Sequence, residues 1–523
     1  MNDLPTAWIH ATIESIAKIV SGKTPKNVAQ FKNNSGSLPW IKVSDMTLPG
    51  NEEYVSKSLI SFNESECQKL GLPIIPAGST IFPKNGGAIA TGKKRKTAIN
   101  CSIDLNNMAV VPIYINSDFL FYWFQTIDLS RLSDGSVVPQ INKSDIASLN
   151  FPLPPLGEQG RIVEKLDELL GRSRRAREEL QQIPKLIQRY KQAVLAAAFR
   201  GDLTADWREE NSAVEPASDL VGRIKAERRL RWEAMEIAKW QARNKNLDGD
   251  KWKKKYKEPQ VFQNSTMSEA PDTWCWVYWE EVGICQNGRP FPSSEYTTHG
   301  VKLLRPGNLH ISGRLVWTHN NTKFLDRSWL DQYPDYLIRS NELVMNLTAQ
   351  SLADEFLGRI CLSDENEKCL LNQRIARLIP ILILPKFCLW LFKSPLFRSY
   401  VDDLNTGSLI QHIFSSQIDQ FIFPLPPLEE QKEIVRRVEE RFKAIEAIER
   451  NYQQAIALLD RLDQATLAKA FRGQLVPQDP NDEPASVLLE RIRAQRASQP
   501  PAHKRKTKTP SAIAPTQLSL DCP

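Results

Sequence analysis

Phe151-Pro-Leu-Pro-Pro-Leu-Gly-Glu-Gln159 decides the organisation of this chain, because the segment returns 272 residues later as Phe423-Pro-Leu-Pro-Pro-Leu-Glu-Glu-Gln431. The same offset carries Ala198-Phe-Arg-Gly201 onto Ala470-Phe-Arg-Gly473. Repetition at a fixed offset is the signature of an internal duplication. The chain is therefore predicted to contain two copies of one structural plan, with the boundary near residue 268.

Shorter motifs extend the duplication outward from these segments. They are Gly135-Ser136 with Gly407-Ser408, Pro5-x-x-Trp8 with Pro271-x-x-Trp274, and Glu215-Pro-Ala-Ser218 with Glu483-Pro-Ala-Ser486. Because all of them recur in the same order, the duplication is predicted to cover nearly the whole chain.

The part of each copy that follows the Pro-Pro pair is predicted to be helical. Over residues 158–200 apolar residues alternate at spacings of four and three, which is typical of a coiled-coil seam. The second copy repeats the spacing from Ile434 to Leu462. Since the two copies stay in register across Pro184, the first helix is predicted to continue past this proline.

The other part of each copy has mixed character. Residues 1–150 and 270–422 alternate short β-type runs with turns rich in Gly, Pro and Asn, which indicates two α/β domains. The two domains match poorly outside a few anchors, whereas the helical parts match well. Either the domains have drifted on a shared fold, or they differ because they recognise different things.

The composition excludes several classes of protein. The 523 residues carry a net charge of +7, with a mean hydropathy of −0.39. The most apolar stretch, Leu378 to Phe392, is interrupted by prolines and is too short to span a bilayer. No signal peptide is recognisable, so the chain is predicted to be cytoplasmic. The eight cysteines form no C-x-x-C pair and the six histidines no H-x-x-x-H pair, so no metal site is predicted.

The order, duplication and spacing of these motifs resemble those of the specificity subunit of type I restriction–modification systems. The resemblance extends to about residue 497 and implies an α+β fold with pseudo-two-fold symmetry, in which two long antiparallel coiled-coil helices separate two α/β target-recognition domains. The implied divisions are 1–150 for the first recognition domain, 151–268 for the central helical spacer and basic linker, 269–422 for the second recognition domain, 423–497 for the distal helical spacer, and 498–523 for a disordered, basic and Pro-rich tail.

The resemblance also implies a function and partners. Each recognition domain would read one half of an asymmetric, bipartite site in double-stranded DNA, and the helices would set the gap and dock the methyltransferase subunits. The complex would contain two adenine-N6 methyltransferase subunits and two restriction/translocase subunits. S-adenosylmethionine, ATP and Mg²⁺ are expected on those partners, with no cofactor on this chain and no membrane partner.

The residues themselves predict no catalytic site. Gly87 to Lys93 imitates a phosphate-binding loop, but Lys94 stands where such a loop needs Ser or Thr. The Pro-Pro pairs of the two duplicated segments both follow Leu, so neither belongs to an adenine-methyltransferase motif. Two alternatives remain open at this point: a fused type II-like restriction or modification enzyme, and a coiled-coil adaptor that does not bind DNA.

Candidate DNA-binding residues are chosen for their polarity and loop context, because Arg reads guanine and Asn or Gln reads adenine, whereas phosphate contacts only fix position. They are Lys42, Ser44, Lys84, Lys93, Lys94, Arg95, Lys96 and Gln140 in the first domain and Arg289, Arg305, Asn308, Arg374 and Gln411 in the second. Among these, Lys93 to Lys96 follow a glycine-rich turn, and the run is predicted to be a polyanion contact.

Two further sets of residues are assigned to the spacer. The partner-docking and spacer residues are Leu153, Pro154, Pro155, Glu158, Gln159, Phe199, Gly201, Leu425, Pro426, Pro427, Glu430, Gln431, Phe471 and Gly473. The stretch from Arg223 to Glu258 holds thirteen Lys or Arg against six Asp or Glu, with tryptophans interleaved. It is interpreted either as a phosphate-binding segment or as the solvated face of a linker helix.

Overall fold

The computed structural model describes residues 4–31, 35–134, 138–242, 251–263, 270–349, 355–404 and 411–498. The Gly-Ser anchors of the duplication and the tail predicted to be disordered, from residue 499 onward, lie outside these residues. The chain divides into two compact units. Unit 1 combines residues 1–180 with residues 454–523, and unit 2 comprises residues 181–453.

Unit 1 is built around short strands and one long helix. Its strands are β1 (Ile9–Thr12), β2 (Ala17–Ser21), β3 (Leu38–Ile41), β4 (Tyr54–Val55), β5 (Ser61–Phe62), β6 (Thr80–Pro83), β7 (Arg95–Thr97), β8 (Ser102–Ile103), β9 (Asn107–Pro112) and β10 (Asn150–Leu153). Its first helices are α1 (Ile13–Ile16), α2 (Glu64–Leu70), α3 (Ser117–Gln125), α4 (Lys143–Ala147) and α5 (Leu156–Leu180). The strands form sheets ordered β2-β9-β6-β7-β4, β5-β3-β8 and β1-β10.

Unit 2 follows the same plan. Its helices up to the second domain are α6 (Ile183–Arg200), α7 (Ala205–Glu210) and α8 (Ala217–Ala242). The strands that follow are β11 (Cys275–Tyr278), β12 (Gly283–Asn287), β13 (Val301–Leu304), β14 (Phe324–Leu325), β15 (Leu337–Ile338), β16 (Leu343–Asn346), β17 (Thr348–Ala349), β18 (Ile360–Leu362), β19 (Cys369–Leu371), β20 (Ile375–Pro380), β21 (Gln411–His412) and β22 (Ile422–Leu425). They form sheets ordered β12-β20-β16-β18, β14-β13-β19-β15, β11-β22 and β17-β21.

The remaining helices complete both units. They are α9 (Trp279–Val282), α10 (Ser328–Gln332), α11 (Pro385–Leu391), α12 (Pro395–Leu404), α13 (Ser415–Asp419), α14 (Leu428–Ala470) and α15 (Ala485–Ser498). The long helix α14 begins in unit 2 and ends in unit 1, and α15 belongs to unit 1. The mixed domains and long helices confirm the predicted fold class.

The predicted continuity of the first helix is wrong. Helix α5 ends at Leu180, and α6 begins at Ile183 with Pro184 in its first turn. Proline lacks an amide hydrogen, and its ring collides with the carbonyl four residues earlier, which here belongs to Leu180. The second copy has no proline in this segment, and α14 runs unbroken for 43 residues.

Within each unit the helical segments run antiparallel to each other. In unit 1 the Arg177 guanidinium pairs with Asp460 and Asp463, each at 2.7 Å. In unit 2 Lys191 pairs with Glu449 at 2.6 Å. The apolar positions of the predicted seam are buried near the domains but exposed elsewhere, as Tyr190 (47%), Ile448 (49%) and Leu462 (56%) show.

Each domain takes the end of the other copy's helix into its core. In unit 1 Phe471, beyond α14, packs against Phe119 with ring centroids 5.1 Å apart. In unit 2 Phe199, at the end of α6, packs against Phe387 at 5.5 Å. The Ala-Phe-Arg-Gly motif of one copy therefore completes the core built by the domain of the other copy.

Candidate nucleic-acid interface

Predicted DNA-binding residues of the first domain meet at one edge of its sheets. Lys42 directly follows β3, and Lys84 directly follows β6. The Lys84 amide donates to the Asn106 carbonyl at 2.7 Å, and the Lys84 carbonyl accepts from the Ile141 amide at 2.9 Å, which brings Gln140 alongside. The loop that contains Asn106 also donates to the last carbonyl of β3 at 3.0 Å. Lys42, Lys84 and Gln140 therefore lie on one surface, named here the first edge.

The second domain has an equivalent surface, named here the second edge. Arg289 follows β12, Arg305 follows β13, and Asn372 with Arg374 follows β19. The Arg289 amide donates to the last carbonyl of β19 at 3.2 Å, and the Asn372 amide donates to the last carbonyl of β13 at 3.3 Å. The Arg374 carbonyl accepts from Leu347, which follows β16, at 2.9 Å. Three arginines that lie far apart in sequence are thereby gathered at the second edge.

The two edges share a backbone geometry that only glycine permits. A Cβ atom on Gly22 would lie 1.8 Å from the carbonyl oxygen of Asp104, and one on Gly288 would lie 2.1 Å from that of Asn372. Both distances are far below van der Waals contact, so each turn requires glycine at this close approach. The backbone geometry of this close approach, called here the frame, is therefore the same in both domains. The side chains on the frame differ, because Asp104 of the first domain corresponds in position to Asn372 of the second.

The electrostatic character of the two edges also differs. Burial raises the pKa of Asp104 to about 6, although amide hydrogen bonds and Lys42 oppose that rise. The second edge has no such carboxylate in its frame, and Arg289, Arg305 and Arg374 form no ion pair with any residue that the structure describes. Uncompensated guanidinium groups at a surface attract phosphates and the acceptor atoms of guanine.

Three other predicted residues lie near these edges, and they differ in how far they are buried and hydrogen-bonded within their own domain. Ser44 is exposed, just beyond Lys42. Gln411 is partly buried in β21, opposite Ala349 of β17. Asn308 is fully buried, and its side-chain oxygen accepts from the Arg305 amide at 2.9 Å, so it shapes its own loop. The prediction that Asn308 reads DNA is at odds with this burial.

The burial of two of its four cations is at odds with the predicted polyanion contact at Lys93 to Lys96. Only 7% of Lys94 and 8% of Lys96 is exposed, and burial lowers the pKa of Lys94 to about 8. Lys96 lies in β7 and forms an ion pair with Asp118, while the Arg95 guanidinium donates to backbone carbonyls of a neighbouring loop. Lys93 and Arg95 are both partly exposed, but the Arg95 side chain is held by those carbonyls, so Lys93 is the cation of this run best placed for a phosphate contact.

The residues assigned to partner docking form the joints between domain and helix. Apart from Phe471 and Gly473, which are partly exposed, all of them are buried. Gln159 shows why, because its amide donates to the Pro154 carbonyl at 3.0 Å while its oxygen accepts from Asn116 at 2.8 Å. Such burial is at odds with a docking role for these side chains and gives them a structural one.

Sequence reasoning found the Glu-Pro-Ala-Ser repeat but assigned it no role. In unit 2 the Ala217 amide donates to the Thr273 carbonyl at 2.9 Å, and in unit 1 the Ala485 amide donates to the Ala7 carbonyl at 3.1 Å. Helices α8 and α15 are thus anchored on the turn that opens each domain. The recurrence of this repeat shortly after Ala-Phe-Arg-Gly in both copies was the available signal.

The basic stretch from Arg223 to Glu258 is described except for residues 243–250. Its arginines pair along α8, as in Arg231 with Glu227 at 2.6 Å. Trp232 stacks on Trp252 with ring centroids 5.8 Å apart. These contacts favour the linker-helix alternative over a free phosphate-binding segment.

The described helices include none that is long and apolar enough to cross a membrane. A search of the same residues finds no group of three or more His, Cys, Asp or Glu side chains placed to hold a metal ion.

Comparison with known sequences finds similarity to specificity subunits of type I restriction enzymes. The sequence profile of the type I restriction modification DNA specificity domain matches residues 5–185 and 279–457, which together make up more than half of the chain. The specificity subunit of the EcoDI type I restriction enzyme of Escherichia coli is 24% identical over 510 residues, covering 95% of this chain and 96% of that protein. The EcoKI specificity subunit of E. coli strain K12 is 26% identical over 515 residues, covering 95% and 97%.

A solved structure shows the same fold. One chain, from a study of complex assembly and conformational transition of the type I R-M system, aligns with a TM-score of 0.61 and 17% sequence identity. The alignment covers 90% of this chain and 100% of that one.

Proposed function

The chain belongs to the family of type I restriction–modification DNA specificity subunits, and we propose that its first and second edges each read one half of an asymmetric, bipartite DNA site. Base recognition requires side chains that reach the edges of bases, while neighbouring cations hold the phosphates. Loops at one border of a sheet, on a fixed backbone frame, suit that task.

The observation that carries this proposal is that the two edges share one backbone geometry but present different side chains. Gly22 and Gly288 fix the same close approach in both domains. Lys42 and Lys84 belong to the first edge, whereas Arg289, Arg305 and Arg374 belong to the second. A duplicated frame that carries different donors and acceptors supports two readers of two different sequences, and therefore an asymmetric site.

The proposal places catalysis on partner subunits. Two methyltransferase subunits would use S-adenosylmethionine to methylate adenine at N6, and two restriction/translocase subunits would use ATP and Mg²⁺. Exposed apolar side chains on the long helices support protein docking there. In unit 2 these are Leu186, Tyr190 and Ile448, and in unit 1 Leu458 and Leu462.

The proposal is tested by purifying this chain with its methyltransferase partner and mapping the adenines that the complex methylates. We expect one motif made of two different short sequences with a fixed unread gap. A continuous or palindromic motif would contradict the two-reader proposal. Methylation or cleavage by the chain alone would favour the fused enzyme, and failure of the complex to bind DNA at low salt would favour the adaptor.

A further inference from the structure

Arg289 stands apart from the other cations of the second edge because aromatic rings surround it. Its guanidinium carbon lies 3.3 Å from the centroid of the Tyr333 ring. The same carbon lies 5.6 Å from the centroid of Phe291, 6.0 Å from that of Trp329 and 5.8 Å from that of Tyr336. We call these four rings the aromatic cage. A guanidinium that stacks on aromatic faces is held by both cation–π attraction and ring stacking.

The cage is itself rigid, because its rings pack on one another. Phe291 meets Trp329 edge to face at 5.3 Å, and Trp329 stacks on Tyr333 at 5.6 Å. Tyr333 then contacts Tyr336 edge to face at 6.4 Å. Since the rings fix one another, the guanidinium they hold is oriented before any ligand arrives, which lowers the entropy cost of binding.

The guanidinium donors of Arg289 lack acceptors within the described part of the chain. The Nε atom is buried and makes no hydrogen bond there, and the guanidinium forms no ion pair. No acceptor of the described chain therefore engages the guanidinium, and its terminal nitrogens are left for a ligand. The terminal nitrogens of a guanidinium donate in a planar fork that suits a ligand with two adjacent acceptors.

We propose that Arg289 determines specificity by reading a guanine in the half-site of the second domain, an inference that rests on the proposed function. The O6 and N7 atoms of guanine are two adjacent acceptors in the major groove, and arginine is the side chain that most often contacts both. Holding a phosphate needs charge but no fixed plane. The exposed Arg374, at the same edge and outside the cage, serves that positional role.

The first domain lacks this reader. Lys23 follows the frame glycine Gly22 as Arg289 follows Gly288, but its Nζ donates to the carbonyl of Leu70 at 2.6 Å. The Lys23 ammonium is therefore already hydrogen-bonded within its own domain. The proposal therefore assigns the guanine to one half-site and gives the first half-site a different means of recognition.

The test uses the complex of the full chain with its methyltransferase partner, and DNA duplexes in which each base pair of the second half-site is changed in turn. That half-site is the one that changes when residues 269–422 are exchanged for those of a relative. With the wild-type complex, replacing one particular G·C pair by A·T should weaken binding by about ten- to a hundredfold. With Arg289→Lys, which keeps the charge, the same replacement should have less than a threefold effect.

Controls separate base reading from phosphate binding and from misfolding. Arg374→Lys should keep the full preference for G·C, and both variants should leave selectivity at the first half-site unchanged, which shows that they are folded. Tyr333→Leu, which opens the cage but keeps Arg289, should reduce the G·C preference in part.

Several results would overturn the inference. One is a second half-site without any G·C pair, and another is an Arg289→Lys variant that keeps full discrimination at every position. A uniform loss of affinity for all sequences, with a shallower salt dependence, would make Arg289 a phosphate contact instead. If the wild-type motif is not bipartite, the proposed function itself fails, so the two failures are distinguishable.

Discussion

The indole Nε1 of Trp8 donates a 2.8 Å hydrogen bond to the carboxylate of Glu158, which lies 150 residues later in the chain. The second copy repeats the bond between Trp274 and Glu430 at 2.7 Å. In both copies the bond joins the turn that opens the domain to the first turn of the helix that leaves it. The conserved geometry of the duplication therefore resides in these joints.

Replacing Glu158 by Ala should destabilise unit 1. The substitution leaves the buried Trp8 indole without its acceptor and removes one acceptor of the exposed Gln478 amide, and an unsatisfied buried donor costs about 1–3 kcal/mol. We expect that decrease in the free energy of unfolding, measured by urea denaturation of the full chain. Glu164→Ala changes an exposed residue of the same helix and is the matched control. Equal effects of the two substitutions would contradict the role assigned to the joint.

Lys93 and Lys96 should behave differently when replaced by Ala. Lys96→Ala leaves Asp118 without its ion-pair partner, so we expect the free energy of unfolding to fall by about 1–3 kcal/mol. Lys93→Ala should leave unfolding unchanged and lower the salt dependence of DNA binding by the complex by about one ion. Denaturation and binding at several salt concentrations measure both effects. A stable Lys96→Ala variant with altered DNA specificity would restore the view that the run of cations is an interface.

The stability of unit 1 should carry a pH dependence that Asp104→Asn removes. Burial raises the pKa of Asp104 from its ordinary value of 3.8 to about 6, so folding favours the protonated carboxyl. The folded chain then binds more protons than the unfolded chain between these two values, and its stability falls as the pH rises from about 4 to 6.

The expected size of that loss is roughly 1–3 kcal/mol, complete above pH 6. Burial also raises the pKa of Asp419 to about 6, so the effect of Asp104 is measured as the difference between wild type and variant. Between pH 4 and pH 7, the unfolding free energy of the variant should rise relative to that of the wild type. If the difference in unfolding free energy between variant and wild type is the same at both pH values, burial does not raise the pKa of Asp104.

Matched insertions in the two helical segments should lengthen the unread gap. Four residues added at Gln181 and four near Gln454 extend both segments by about 6 Å, at ~1.5 Å per residue. Base pairs stack at ~3.4 Å, so the gap should grow by one or two base pairs while both half-sites stay the same. Mapping of methylated adenines measures the gap. An insertion in one segment alone should shift the register that pairs Arg177 with Asp460, and so weaken the complex.

The sequence was sufficient for features that depend on order and spacing. Duplicated motifs indicated two mixed domains and two helical segments, and Pro-Pro marked both helix starts. The break at Pro184 was missed because the match to the second copy was given more weight than the missing amide hydrogen. The proline, and not the similarity to the second copy, determined where the helix ends.

The candidate interface was predictable only in part. Lys42, Lys84, Arg289, Arg305 and Arg374 were chosen by residue type and loop context, and their DNA contacts remain a prediction. The burial of Lys96 depends on Asp118 in another element, and the cage around Arg289 assembles rings from two distant segments. Contacts between residues so far apart in sequence leave no local pattern, so only the folded chain reveals them.

The central claim, that each domain reads one half-site alone, is tested most directly by a domain exchange. Residues 1–150 are replaced by the corresponding domain of the EcoKI specificity subunit, and the chimera is combined with this chain's own methyltransferase partner. Mapping of methylated adenines should show one new half-site, with the other half-site as in the wild type. A motif in which both half-sites change, or in which neither changes, would contradict the claim.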